Sequence, residues 1–307
     1  MKIIIDCDPG QDDAIAIAMA MGAQRSGLLE VLGVTTVAGN VSEAECNRNA
    51  RVVLDVVGGD DPPPVFSGCH RPLVAPFRSY FDSGHGLRGW DHREPRRDPA
   101  PGHAVDFLVA TAAATEDLTL CPIGPLTNVA AAIVLHDGFA ESVGRIVLMG
   151  GAVGAGNITP SAEFNILVDP HAAKVVFESG IPITMIGLEA CNAADATDAE
   201  LAAIRAIDTP AAQMAAALIA GYYNDDDRAR GVRIRPMFDP CVIAHLLEPE
   251  LFTTREARVD IETESTLSFG RTVVDLDGRS GRELNATVAL DTDSDGFFAL
   301  MRRLLSC

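Results

Sequence analysis

Short apolar runs alternate with helix-patterned stretches along nearly the whole chain, and no other feature limits the fold so strongly. The spacing predicts a first strand beginning at residue 2 with the run Ile3-Ile4-Ile5, and strands near residues 30–37, 65–66, 118–121, 144–149 and 181–186. Helices are expected between and after them, at 42–57, 103–115, 125–135, 170–179, 198–207, 210–223 and 239–247. Further strands are expected near 257–261, 272–276 and 287–290, and a closing helix at 296–305. Strand–helix alternation of this kind builds a mostly parallel sheet with helices on both faces. The expected class is therefore α/β, with one open sheet flanked by helices and residues 1–307 as a single domain. In such sheets ligands bind beyond the carboxyl ends of the strands. Asp8, Asn40, Ile123-Gly124, Gly150-Gly151 and Gly187 all fall at that edge.

The most chemically loaded of these edges is the first. Ile3-Ile4-Ile5 leads into Asp6-Cys7-Asp8-Pro9-Gly10-Gln11-Asp12-Asp13, and Ala14-Ile15-Ala16-Ile17 follows. This reads as a buried strand, a Pro-Gly turn and a helix. Asp12 and Asp13 then sit at a helix start, where backbone N–H groups favour negative charge. Capping accounts for one or two such carboxylates but not for four together. Crowded carboxylates stay ionised only beside protons or a cation. An all-oxygen cluster suits a hard divalent ion, Ca²⁺ or Mg²⁺, and metal-assisted hydrolysis is the first chemistry implied.

Charge and cysteine usage narrow the class further. Net charge is −19, and Lys2 and Lys174 are the only lysines. Such a chain has little general attraction for nucleic acid or an anionic membrane, and no partner of either kind is expected. The seven cysteines form no C-x-x-C pair, which argues against zinc-ribbon and thioredoxin-type sites. Their scatter, with no secretory signal pattern and no long apolar span, points to reduced thiols in a cytoplasmic protein.

Residues 67–102 break the alternation, being rich in Gly, Pro, Arg and His and containing the sole tryptophan, Trp90. A stretch this long without periodicity reads as a flap over a site or as a surface excursion. Near the end, Asp291-Thr292-Asp293-Ser294-Asp295-Gly296 imitates the start of a calcium loop, but its twelfth position is Arg302. The loop would lack its bidentate glutamate, so helix capping is expected there.

The ordered segments DCDPGQDDAIAI, TTVAGN, PIGPLTNVA, IVLMGGAVGAGN and SAEFNILVDP resemble, over nearly the entire chain, the inosine–uridine nucleoside hydrolase family. The resemblance implies a Rossmann-like α/β fold and Ca²⁺-dependent cleavage of ribonucleosides to ribose and free base, in nucleoside salvage or catabolism. It further implies that Asp8, Asp13 and Asp239 ligate Ca²⁺ through carboxylates, and Thr127 through its main-chain carbonyl. Asp12 and Asn40 would bind the ribose hydroxyls, and Asn157, Glu163 and Asn165 would hold the sugar. Asp8 would also act as general base, and Asn165 as a preorganised polar donor. Met149 is either a core plug or part of the sugar pocket. Members of the family are commonly dimers or tetramers, so a homodimer or homotetramer is implied.

Two departures stand out. Many members carry His-Asp-Pro where this chain has Phe238-Asp239-Pro240. Phenylalanine cannot protonate a leaving base, although it can stack on one. His85, in Ser83-Gly84-His85-Gly86, lies near the family's other leaving-group histidine and is the candidate to replace it. The run Asn224-Asp225-Asp226-Asp227 is acidic where relatives are neutral and aromatic. Two other functions compete. An aspartate after the first strand also suits phosphoryl transfer through an aspartyl nucleophile. A nucleoside- or ribose-binding protein that has lost the leaving-group acid would keep the same residues.

Overall fold

The computed structural model describes residues 1–77, 87, 89–90, 94–221 and 235–307. His85 and the acidic run at 224–227 lie outside the described residues. The strands are β1 (Lys2–Cys7), β2 (Glu30–Thr36), β3 (Val65–Phe66), β4 (Thr119–Pro122), β5 (Arg145–Met149) and β6 (Ile183–Ile186). They are followed by β7 (Phe252–Ile261), β8 (Thr272–Asp275) and β9 (Ala286–Thr292). Among the described residues they form one nine-stranded sheet in the order β3-β2-β1-β4-β5-β6-β9-β7-β8. All neighbours from β3 to β9 pair in parallel, whereas β7 runs antiparallel to both β9 and β8.

The parallel strands are apolar on both faces because helices cover both. Ile3 and Ile5 face one core cluster and Ile4 the other; Val147 and Met149 face the first, and Ile146 and Leu148 the second. Helix α1 (Gln11–Arg25) is buried continuously from Asp13 to Ala23, as expected of a helix apolar on every side. Its alanines allow neighbouring helices to approach closely. Helix α2 (Glu43–Val57) begins with the expected reciprocal capping box of Ser42 and Glu45, and Asp293 caps the closing helix Ser294–Leu305.

Strand order reverses between β1 and β4. From β1 the sheet grows outward through β2 and β3 on one side and through β4, β5 and β6 on the other. The two connections leave opposite faces, so a crevice opens where β1 and β4 end. Asp8 and Ile123 stand at that crevice.

Three short helices, Phe139–Ser142, Phe164–Val168 and Leu188–Ala193, lie outside the helices that the sequence predicts. Each has six residues or fewer, too short to display a helical period. The outer edge also differs from a simple βα repeat. Strand β7 spans Phe252–Ile261, starting well before the expected residue 257, because it pairs along its length with β9 and β8.

Candidate functional site

Asp8 leaves the end of β1 pressed between two glycines. A Cβ on Gly39 would stand 2.1 Å from Asp8 Oδ2, and one on Gly124 would stand 2.4 Å from Asp8 Oδ1. The Asn40 backbone N–H donates to Asp8 Oδ2 at 2.6 Å, and Asn40 Nδ2 donates to the Asp8 carbonyl at 3.1 Å. The aspartate is thereby held from β2 and β4 as well as from its own strand.

Asp13 lies beneath it in the first turn of α1. Its Oδ1 accepts the Asp8 N–H at 3.1 Å and its Oδ2 the Gly10 N–H at 2.8 Å. Asp239, the residue before helix Pro240–Leu247, hydrogen-bonds Asp13 through its side chain. Asp12, Asp13 and Asp239 each offer a carboxylate oxygen within 4.8 Å of the others. Burial, then repulsion from Asp13, drives the Asp8 carboxyl well above the usual carboxylate range. Asp239 is driven up likewise, by burial and then by Asp12. Burial pushes Asp13 up to about 6 and Asp12 up to about 7. These groups resist carrying charge side by side, so a cation or shared protons must accompany them.

The opposite wall comes from the segment entering the short helix Phe164–Val168. Glu163 caps it, with Oε1 taking the Asn165 N–H and Oε2 the N–H groups of Ile166 and Gly151. Burial lifts its carboxyl to about 7 against these hydrogen bonds. Asn165 directs Nδ2 at the carbonyls of Ile123 (3.0 Å) and Met149 (3.1 Å), the ends of β4 and β5. Its amide donors are therefore committed to the protein, leaving Oδ1 as its polar atom for the pocket. The expectation of a donor becomes that of an acceptor. Met149 fills both expected places, buried in the core and lining the pocket. Asn157 is exposed, and its Oδ1 accepts the Phe164 N–H at 3.0 Å.

A cavity of about 110 Å³ joins the two walls, lined by Asp8, Asp12, Asn40, Met149, Asn157, Glu163, Asn165, Phe238 and Asp239, with Ile123, Ile158 and Phe164 between them. This is closer to one sugar ring than to the 300–1,000 Å³ or so of typical drug-sized sites. No lysine or arginine lines it among the described residues. Thr127 does not line it. It begins the helix Thr127–Leu135, with Oγ1 donating to the buried Asp169 at 2.8 Å. Asp6 lies behind the site, its Oδ1 accepting from Thr35 Oγ1 and Asn128 Nδ2. Trp90 is partly buried against the larger core cluster rather than in this cavity.

The family model described as inosine-uridine preferring nucleoside hydrolase matches residues 3–299. The chain belongs to this family. It is 43% identical, over 99% of its own length and 98% of the relative's, to the pyrimidine-specific ribonucleoside hydrolase RihA of Photobacterium profundum. Identity to the RihA of Salmonella agona is 40%, over 99% of this chain and 98% of that protein. Its backbone superposes on a plant nucleoside hydrolase, PpNRh1, with a TM-score of 0.91 at 28% identity, covering 100% of this chain and 99% of the other. A purine-preferring ribonucleoside hydrolase from Gardnerella vaginalis gives 0.89 at 30% identity, covering 100% and 98%. The chain is thus a nucleoside hydrolase, and the phosphoryl-transfer reading of its opening aspartates falls away.

Two features of the site involve residues to which the sequence patterns assign no role. Glu189 and Thr272 hold the glycine-rich loop that leads to Asn157. Asp169 ties Thr127 to the Leu73 N–H at 2.8 Å. All three are far in sequence from the groups they hold, so no local spacing signals them.

Proposed function

We propose that this enzyme hydrolyses the N-glycosidic bond of ribonucleosides to ribose and free base, with Ca²⁺ as cofactor. The observation that carries the reading is the pocket itself: a sugar-sized cavity walled by Asp8, Asp12, Glu163 and Asp239, with Asp13 directly beneath. Its donor set is oxygen-only and anionic, which fits a hard divalent cation. Asp8, Asp13 and Asp239 would hold the ion, with the main-chain carbonyl of Thr127. When bound, the ion makes water more acidic and gives hydroxyl oxygens a strong electrostatic partner.

The protein's own groups do the remaining work. Asp12 and Asn40 bind the ribose hydroxyls and fix the ring. Breaking the bond places positive charge on the sugar, and the Asn165 carbonyl and the surrounding carboxylates stabilise that charge. Asp8 takes a proton from the attacking water as general base. Asn157, Glu163 and Met149 enclose the sugar, and the Phe238 ring lies against the base. Proton delivery to the leaving base is assigned to His85. We take pyrimidine ribonucleosides as the preferred substrates, because relatives more than 40% identical carry that specificity in their names. A cytoplasmic homodimer or homotetramer, folded as one domain, completes the proposal; among the described residues no helix is long and apolar enough to cross a membrane.

A reducing-sugar assay over purine and pyrimidine nucleosides tests the reading. Release of ribose from uridine or cytidine is expected. Ribose binding without release from any nucleoside would favour the non-catalytic sensor that Phe238 suggests.

A further inference from the structure

The loop after β5 is held from the side by three acidic or hydroxyl side chains that come from three separate parts of the chain. Four successive backbone N–H groups are engaged. Gly151 donates to Glu163 Oε2 at 2.9 Å, Ala152 to Thr272 Oγ1 at 2.9 Å, Val153 to both Glu189 oxygens at 3.0 Å, and Gly154 to Glu189 Oε1 at 2.8 Å. Thr272 closes the grip in both directions, since its hydroxyl also donates to the Ala152 carbonyl at 2.5 Å. The Gly151 carbonyl is taken by the Leu188 N–H at 3.0 Å. Loops rarely satisfy so many consecutive donors through side chains; most such groups turn to water or to backbone.

Packing fixes the same place. Gly151 has φ +79°, and a Cβ there would stand 2.7 Å from Thr272 Cγ2. Thr272 is itself buried, on β8 at the antiparallel edge of the sheet. This loop ends at Asn157, whose Oδ1 accepts from Phe164 beside Glu163 and Asn165. Thus the strand farthest from β1 on its side of the sheet is tied to the loop that leads to the wall of the sugar pocket.

We propose that Thr272 and Glu189 are positioning residues: neither lines the pocket, and they set the place of Asn157 and Gly151 through the loop backbone. The inference rests on the hydrolase reading above. Their loss relaxes the sugar wall and leaves the acidic cluster intact, because no contact joins Thr272 or Glu189 to Asp8, Asp12, Asp13 or Asp239 among the described hydrogen bonds.

The test compares Thr272→Val, which keeps the shape but removes the hydroxyl, with Thr272→Ser, which keeps the hydroxyl, and with Glu189→Gln. Each is assayed for uridine hydrolysis, for inhibition by free ribose and for calcium affinity by calorimetry. A buried N–H and carbonyl left unpaired predict that Thr272→Val raises KM and the ribose inhibition constant together by about tenfold, with kcat changed less than about threefold. Thr272→Ser should restore both constants, Glu189→Gln should move them in the same direction, and calcium affinity should stay at the wild-type value in all three. Unchanged constants in Thr272→Val, a fall in kcat alone, or a Thr272→Ser as impaired as Thr272→Val would overturn the inference. A wild-type protein that releases no ribose would instead overturn the hydrolase reading, so the two failures are distinguishable.

Discussion

Asp8 has room only because Gly39 and Gly124 carry no side chains. A methyl group on Gly39 would stand 2.1 Å from one carboxylate oxygen of Asp8 and 2.9 Å from the Pro125 ring. Neither neighbour can yield, since Asp8 is pinned by Asn40 and Pro125 is rigid. Gly39→Ala is therefore expected to displace the carboxylate and cut kcat by at least about a hundredfold, as loss of one well-placed catalytic group does. A steady-state assay alongside a circular-dichroism spectrum checks this; a wild-type rate would show that Asp8 need not sit there. Asn165 makes a second prediction at this scale. Its nitrogen donates to the Ile123 and Met149 carbonyls, which leaves Oδ1 as the polar atom this pocket-lining residue can offer. Asn165→Ala should lose about 2–4 kcal/mol of transition-state stabilisation, the range found for removal of a preorganised polar group, read as the change in kcat/KM. The aspartates and asparagines themselves stood out in the sequence, since their types and spacing are local. Which atom each one presents did not, because the orientation of Asn165 is decided by carbonyls at positions 123 and 149.

Among the elements, the parallel strands from β1 to β6 were readable because burial on both faces forces continuous apolar runs. Strand direction was not. Antiparallel β7 and β8 have the same alternation as any half-buried strand, and only their pairing with β9 sets their sense. The sequence pattern assigns no helix at Glu163 and Asn165, yet Glu163 caps a five-residue helix and Asn165 lies in its first turn; its length is below that needed for a periodic signal. Helix Pro240–Leu247 carries a pH-dependent element of stability. His245 stands edge-on to Phe252 at 5.3 Å, with Nδ1 buried and unpartnered. Burial holds its pKa down at about 4, below the usual 6.5. Between those values the unfolded chain binds the extra proton and the folded one does not. Stability from this residue is thus complete above about pH 6.5 and is lost as pH falls toward 4, by at most about 3 kcal/mol. Urea unfolding of wild type and His245→Phe at pH 7.5 and pH 5 checks it. The wild type should lose more stability over that interval than the variant, and equal losses would mean that His245 titrates alike in the folded and unfolded states.

At the scale of the whole molecule, distant carboxylates converge on one crevice. The chain carries 43 acidic residues against 24 lysines and arginines, and five of its carboxylates meet at the crevice between β1 and β4 or on its opposite wall. The sheet reversal brings them together from positions 8 to 239. A linear reading finds each motif, and the topology explains why they converge. The central claim is that this anionic crevice works only with a hard divalent ion. The most direct measurement is uridine hydrolysis by protein stripped with a strong chelator, then supplied with calcium in rising concentration. The account predicts no ribose release after stripping and saturable recovery with calcium, with neither effect altered by added monovalent salt. Full turnover by the stripped enzyme, or recovery that never saturates, would contradict it.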